Sequence, residues 1–115
     1  MNISSLFKLS MWAWMMIILY LSLTPQVSTP INFNHMDKIL HLGSYGLAMI
    51  LTTLAYQKIH HYKSISLLFT YSLMIEVAQL FVVNRYFEVS DLVANLMGIL
   101  LAIYLMKLLR STRLF

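Results

Sequence analysis

The chain has 115 residues, of which 60% are hydrophobic and only 10% are charged, and its mean hydropathy is +0.76. A soluble domain of this length needs a charged surface that these residues cannot supply, so the composition selects an integral membrane protein. The net charge is +4. Cysteine is absent, and its absence excludes a disulfide framework and a thiolate nucleophile.

Four apolar stretches are long enough, or nearly long enough, to cross a bilayer core of roughly 30 Å. In chain order they cover about 6–23, 39–56, 64–83 and 92–109. The first ends at Pro25, which stops helices. Lys8 ahead of a short apolar core also resembles a signal peptide, but no small-residue cleavage triplet follows it. Short links predict antiparallel neighbours, and therefore one all-α domain over residues 1–115, a bundle of four transmembrane helices.

The distribution of lysine and arginine predicts the orientation of this bundle. One side carries both termini and six basic residues: Lys8, Lys58, Lys63, Lys107, Arg110 and Arg113. The other side receives only Lys38 and Arg85, each close to acidic residues. We therefore expect both termini in the cytoplasm. Topology and contacts with anionic membrane lipids account for the basic residues, so nucleic acid is not an expected partner.

Polar residues of three predicted helices gather toward the outer side. All four acids of the chain lie there: Asp37, Glu76, Glu88 and Asp91. Helical spacing gives each span one polar face: Asp37, His41 and Tyr45; Glu76 and Gln79; Asp91, Asn95 and Gly98. Small residues recur at four-residue steps on the second and fourth spans: Ser44, Ala48 and Thr52; Ala94, Gly98 and Ala102. Such stripes allow close packing of helices in lipid, so the polar faces are expected to point into the bundle.

Simpler explanations exist for most of these residues. Asp37 and Asp91 each precede an apolar run and are explained equally well as helix caps. Four other polar side chains are also typical of hydrogen bonds between membrane helices: His41, Tyr45, Gln79 and Asn95.

Glu76 is harder to explain as a structural residue. An acid near the middle of a span costs roughly 2.5 to 3.5 kcal/mol on insertion scales, so it requires a partner or a function. Arg85 and His41 are the partners that the sequence predicts for it. A metal bound by His35, Asp37, His41 and Glu76 is an alternative, but the spacing matches no zinc motif. We expect neither a metal nor a cofactor.

Three segments in order resemble the VanZ-like family of small bacterial membrane proteins: DKILHLGSYG, EVAQLF and RYFEVSDLVANLMG. The family pattern is similar to D-K-x2-H-x3-Y, E-x2-Q and R-x5-D-x3-N-x2-G. Its positions are filled here by Asp37, Lys38, His41, Tyr45, Glu76, Gln79, Arg85, Asp91, Asn95 and Gly98. The first span with its closing LSLTP is also similar, so that the resemblance covers about 6–105. Asn84 stands where family members often have glycine.

The resemblance implies a multi-pass protein of the bacterial cytoplasmic membrane, in a family named after a protein associated with resistance to the glycopeptide teicoplanin. It predicts an extracytoplasmic binding site whose residues are those of the pattern: Asp37, Lys38, His41, Tyr45, Glu76, Gln79, Arg85, Asp91 and Asn95. The expected ligand is a lipid-linked cell-wall precursor or a glycopeptide. Lys38 and Arg85 would contact its phosphate or carboxylate groups.

Two other functions are consistent with the same residues. An intramembrane enzyme acting on a lipid carrier would use His41 as general acid or base, oriented by Glu76 or Asp91, although no nucleophile is evident. A structural or accessory subunit would use the polar cluster to join its helices. Between catalysis and binding, the sequence favours binding.

Overall fold

The computed structural model describes residues 2–24, 34–83 and 85–111. Four α-helices occupy these ranges: α1 (Ile3–Leu23), α2 (Asn34–Ala55), α3 (His61–Ala78) and α4 (Val89–Ser111). A single 3-10 turn, Gln79–Phe81, extends α3, and these ranges contain no strand. Each helix is long and apolar enough to cross a membrane, which confirms the predicted all-α fold with four transmembrane helices.

The helices begin a few residues before the predicted spans, which places polar residues inside helices rather than ahead of them. Asp37 lies in the first turn of α2, and Asp91 lies in the first turn of α4. At the start of α1, the side-chain oxygen of Asn2 accepts a hydrogen bond of 2.8 Å from the Ser5 amide, as an N-cap residue does. Three residues used in the sequence predictions lie outside the described ranges: Pro25, Asn84 and Arg113.

The parallel pair of α2 and α4 forms the centre of the bundle, since these two helices make the most extensive contact. Lys38 contacts Asp91 near the start of both helices, and Gly46 faces Gly98 about two turns further along each. At Gly98 the backbones approach so closely that an added Cβ atom would overlap the carbonyl oxygen of Leu42. Glycine therefore sets both the separation and the register of the pair.

Helices α1 and α3 flank this central pair. α1 packs mainly on α2, whereas α3 packs on α4 and α2. All four helices contribute to a core of buried side chains: Met11, Met15, Ile18, Tyr45, Ala48, Met49, Leu68, Ile75, Ile99, Ala102, Ile103 and Met106. α1 is the least buried of the four helices. The longest axis of the bundle is 45 Å, close to the roughly 40–45 Å of a bilayer with its headgroups.

Charge is segregated between the two ends of the bundle. The end at which α2 and α4 begin, named here the acidic end, carries all four acids of the chain: Asp37, Glu76, Glu88 and Asp91. The opposite end, named the basic end, carries four of the described lysines: Lys8, Lys58, Lys63 and Lys107. This segregation follows from the order of the helices, because α2 and α4 start where α1 and α3 finish.

Candidate functional site

The centre of the acidic end is the ammonium group of Lys38. Its Nζ lies 2.7 Å from Glu88 Oε2 and 3.4 Å from Asp37 Oδ2, and it also contacts the carboxylate of Asp91. The Asp91 side chain is 8% exposed, whereas that of Lys38 is 32% exposed. Two helix N-termini lie side by side here, and their partial positive charges favour the nearby carboxylates. Lys38 neutralises the acids that this parallel packing brings together.

His41 forms a second link between α2 and α4. Its Nδ1 lies 3.1 Å from Asn95 Oδ1, and because an amide oxygen only accepts, Nδ1 donates in this contact. Its Nε2 lies 3.7 Å from Asp37 Oδ1 and 3.5 Å from Asp91 Oδ2. One side of the ring is therefore fixed by Asn95, and the other faces two carboxylates. These contacts hold the ring in one orientation and place Nε2 beside the two carboxylates.

Glu76 is almost completely buried, with 1% of the residue exposed. Its Oε2 accepts a hydrogen bond of 3.2 Å from the backbone N–H of Glu88, which fastens the link between α3 and α4 to α3. The sequence predicted Arg85 or His41 as its partner; among the described residues, neither lies within ion-pair distance of Glu76. Instead, the side chain of His41 contacts Asn95 of α4, and that of Arg85 donates hydrogen bonds to carbonyl oxygens at the end of α1.

Arg85 and Gln79 hold the end of α1. Arg85 donates from Nε to the carbonyl oxygen of Thr24 at 3.0 Å and from Nη2 to that of Leu21 at 2.7 Å. Gln79 Nε2 donates to the carbonyl oxygen of Ser22 at 2.9 Å. The last carbonyls of a helix lack partners within the helix, and a cation there also complements the helix dipole. These contacts join α1 to the end of α3 and to the segment that follows it.

A cavity of about 270 Å³ opens between α1, α2 and Arg85 at the acidic end. Its polar lining includes Asp37, His41, Tyr45, Gln79 and Arg85. Its apolar lining consists mainly of α1 residues: Trp14, Ile17, Ile18 and Leu21, with Leu40 from α2. The cavity therefore combines a polar rim at the acidic end of the bundle with an apolar wall. This composition suits part of an amphipathic molecule. We call it the acidic-end cavity.

The comparison with protein families matches the VanZ/LLP1 family model over residues 2–110, nearly the whole chain. The chain belongs to the VanZ/LLP1 family. No curated protein and no solved structure matches the chain. The membership agrees with the sequence resemblance, and together with the four apolar helices it fits a multi-pass membrane protein.

Eight of the ten residues of the VanZ-like pattern fall into two connected groups in this family member. The first is the network between α2 and α4, formed by Asp37, Lys38, His41, Asp91 and Asn95. The second lines the acidic-end cavity and adds Tyr45, Gln79 and Arg85 to Asp37 and His41. Glu76 braces the link between α3 and α4 through Glu88. Asp37 and His41 belong to both groups and connect the charge network to the cavity.

Three of these residues provide a possible set of metal ligands, different from the one weighed on the sequence. One ligand atom each from Asp37, His41 and Asp91 lies within 4.8 Å of the others. The set includes Asp91 in place of Glu76, and the side chain of His35 lies outside the described residues. Lys38 contacts both carboxylates, so its ammonium group already supplies the cation that these acids require. The donor set alone therefore does not indicate a metal centre.

Two contributors to the site were missed on the sequence. Trp14 was not among the predicted site residues, but its indole Nε1 donates to the carbonyl oxygen of Ser44 at 2.9 Å and its ring lines the cavity. Glu88 belongs to the Lys38 network and also donates its amide to Glu76. The backbone carbonyls and amides that these contacts use carry no sequence signal. The one available signal was the indole N–H of Trp14, because a buried indole N–H needs a hydrogen-bond acceptor.

Two substitutions of Glu76 distinguish the contribution of its charge to stability from that of its hydrogen bond. Glu76→Gln keeps an oxygen that accepts from the Glu88 amide, so we expect its thermal stability in detergent to stay close to that of wild type. Glu76→Leu removes the acceptor and should lower the free energy of unfolding by about 1 to 3 kcal/mol. Thermal unfolding followed by circular dichroism measures both. Equal destabilisation of the two variants would mean that the carboxylate charge matters, rather than the acceptor.

Proposed function

We propose that this protein binds the headgroup of an anionic, lipid-linked cell-wall precursor in the acidic-end cavity. The predicted orientation places this cavity at the outer leaflet of the bacterial cytoplasmic membrane, where such precursors are exposed. Occupation of the cavity would change the access of glycopeptide antibiotics to their target, and thereby tolerance to teicoplanin. Membership of the VanZ/LLP1 family supports this setting.

The observation that carries the proposal is the composition of the cavity. Arg85 lines it, and the two bonds to α1 use two of the five N–H donors of its guanidinium. That group suits a phosphate, because its planar fork matches two phosphate oxygens. Asp37 and Gln79 on the same rim suit the hydroxyl or amide groups of an attached sugar or peptide. The apolar wall of α1 suits the adjoining part of a prenyl chain.

The size and charge of the cavity favour one of the two ligands that the sequence suggested, the lipid-linked precursor, over the glycopeptide. At about 270 Å³ the cavity lies below the roughly 300–1,000 Å³ typical of sites for drug-sized molecules. It accommodates a phosphate and part of a headgroup more readily than a whole glycopeptide. Lys38 is neutralised by its carboxylates and does not line the cavity. The phosphate contact is therefore assigned to Arg85, and His41 lies on the same lining.

A susceptibility experiment tests the proposal in cells. Wild type in a teicoplanin-sensitive host should raise the inhibitory concentration of teicoplanin, and His41→Ala, Glu76→Gln and Arg85→Ala should be compared at matched membrane levels. We expect His41→Ala and Arg85→Ala to abolish protection, because both groups face the cavity. Lys107→Ala, at the basic end, is the control and should protect like wild type. No protection by the wild-type protein would refute the tolerance role.

Binding is measured separately through Trp14, which lines the cavity. A Trp12→Phe protein keeps Trp14 as its sole tryptophan, and its fluorescence should change when a polyprenyl phosphate is added to the protein in phosphatidylcholine nanodiscs. Arg85→Gln should weaken this binding by about tenfold or more, since hydrogen bonds to charged groups contribute about 1.5–3 kcal/mol. Arg85→Lys keeps the charge and tests the need for the guanidinium fork. Unchanged affinity in Arg85→Gln would exclude Arg85 from the site.

The surroundings of His41 favour one second candidate, an intramembrane enzyme acting on the same lipid carrier. The ring lines the cavity, Asn95 fixes one nitrogen and two carboxylates face the other, as a general acid or base requires. Catalysis predicts that His41→Gln loses protection while it still binds the polyprenyl phosphate. Full protection by His41→Gln would eliminate the enzyme. Variants that only lower the amount of folded protein would instead favour a structural role.

A further inference from the structure

A second groove lies at the basic end, between the first turns of α1 and the end of α2 with its following turn. Its volume is about 400 Å³. Five of its lining residues carry polar groups: Ser4, Lys8, Tyr56, Gln57 and Lys58. The remaining lining is apolar and includes Ile3 and Leu54. We call this feature the basic groove. It has no part in the function proposed above, because it lies at the opposite end of the bundle.

Among the residues that the structure describes, none neutralises the positive charge of the basic groove. Within the described ranges, neither Lys8 nor Lys58 has a carboxylate within ion-pair distance, whereas Lys38 contacts three. The reason is the segregation of charge, since every acid of the chain belongs to the acidic end. Two lysines on one groove, without a counter-charge, favour an anion supplied from outside the protein.

Aromatic contacts hold the first of these lysines at the groove. Lys8 Nζ lies 5.2 Å from the centroid of the Tyr56 ring, a cation–π contact. Trp12 Nε1 donates to the hydroxyl oxygen of Tyr56 at 3.1 Å and fixes that ring. The ammonium group is thus held beside the groove by an aromatic ring rather than by a carboxylate. Such placement lowers the entropy that binding would otherwise cost.

We propose that the basic groove binds the phosphate headgroup of an anionic membrane lipid, with Lys8 and Lys58 as the cationic contacts. The hydroxyl of Ser4 and the amide of Gln57 are positioned on the same groove for the polar part of the headgroup. A lipid is favoured over free phosphate because exposed apolar residues continue from the groove along α1: Ile3 is 72% exposed and Leu6 is 50% exposed. These side chains provide a surface for the acyl chains. With the predicted orientation, the lipid belongs to the cytoplasmic leaflet.

Trp12 reports on this groove, because its indole is bonded to Tyr56 of the lining. A Trp14→Phe protein, whose sole tryptophan is Trp12, is placed in phosphatidylcholine nanodiscs with a fixed fraction of brominated lipid, which quenches tryptophan fluorescence on contact. We expect brominated phosphatidylglycerol to quench Trp12 more strongly than brominated phosphatidylcholine. Changing Lys8 and Lys58 together to glutamine should lower the apparent preference for phosphatidylglycerol by about tenfold.

The matched control removes the same charge from the same end. Lys63 and Lys107 do not line the groove, so a Lys63→Gln/Lys107→Gln protein should keep the preference. Equal quenching by the two brominated lipids, or equal loss of preference in both double variants, would overturn the proposal in favour of a diffuse basic surface. Loss of the preference on addition of millimolar inorganic phosphate at constant ionic strength would point to free phosphate instead. The acidic-end cavity is followed through Trp14 alone, so either site can fail without the other.

Discussion

Gly98→Ala is expected to be among the most destabilising small substitutions in this protein. The added methyl group would overlap the carbonyl oxygen of Leu42, with the Leu42 Cα only 3.1 Å away. Backbone atoms cannot rotate aside as a side chain does, so α2 and α4 must separate. We expect the free energy of unfolding in detergent to fall by about 3 kcal/mol, the upper part of the usual range for overpacking.

The other two glycines of the chain, Gly43 and Gly46, both lie in α2 and provide a graded control for this substitution. An added Cβ at Gly43 meets nothing within 4 Å, so Gly43→Ala should be neutral or stabilising by up to about 1 kcal/mol through helix propensity. At Gly46 the nearest atom is the carbonyl oxygen of Gly98 at 3.3 Å, which predicts a small loss. Denaturant titration followed by circular dichroism ranks the three variants. A Gly98→Ala protein as stable as Gly43→Ala would contradict the close packing of α2 and α4.

Lys38→Met is expected to produce the second large effect, by removing the cation that the acids of this end share. Asp91 is then left with an 8% exposed carboxylate close to His41 and without its ammonium partner. Breaking a buried ion pair costs about 3–5 kcal/mol, and the partial exposure of Lys38 places this case near about 3 kcal/mol. Unfolding in detergent measures the loss. Lys107→Met, an exposed lysine outside any described ion pair, should change stability by no more than about 0.5 kcal/mol.

A double substitution tests whether the loss in Lys38→Met comes from the uncompensated carboxylate. Asp91→Asn neutralises the acid with little change of shape, so Lys38→Met combined with Asp91→Asn should recover part of the lost stability. Neighbouring charges of this kind are coupled by about 0.5–3 kcal/mol in double-mutant cycles. Strict additivity of the two substitutions would show that Lys38 stabilises the protein through Glu88 or Asp37 instead. Binding through Trp14 should be retained in any variant that stays folded, since Lys38 does not line the cavity.

These substitutions distinguish the role of the charge network, which is structural, from the proposed role of the cavity, which is binding. Glycine packing and the Lys38 pairs determine whether α2 and α4 hold their register. Under the proposed function, Arg85 and His41 would determine what the cavity binds. The proposed function is therefore best tested at Arg85 and His41, whereas losses at Gly98 and Lys38 report on the fold.

Several features of the protein follow from the sequence by itself. Four apolar runs of bilayer length predict four helices, because the cost of exposing backbone polar groups to lipid leaves few alternatives. Alternation of helix direction then brings Asp37, Glu76 and Asp91 to one end. Spacing by three and four residues places His41 and Tyr45 on one face with Asp37. These inferences need only helix geometry and the order of the segments.

The partners of these residues were decided by the tertiary structure. The close approach at Gly98 sets α2 beside α4 in parallel, and that register presents Lys38 to Asp91 and His41 to Asn95. Residues more than fifty positions apart are paired in this way, and no local pattern encodes such distances.

The role of Arg85 illustrates the same limit most clearly. Its charge suggested a ligand contact or a pair with Glu76, yet it donates to carbonyl oxygens of Leu21 and Thr24 while it also lines the cavity. Backbone carbonyls at the end of a helix are the same in every sequence. Only the packing of α1 against the end of α3 determines which cation reaches them.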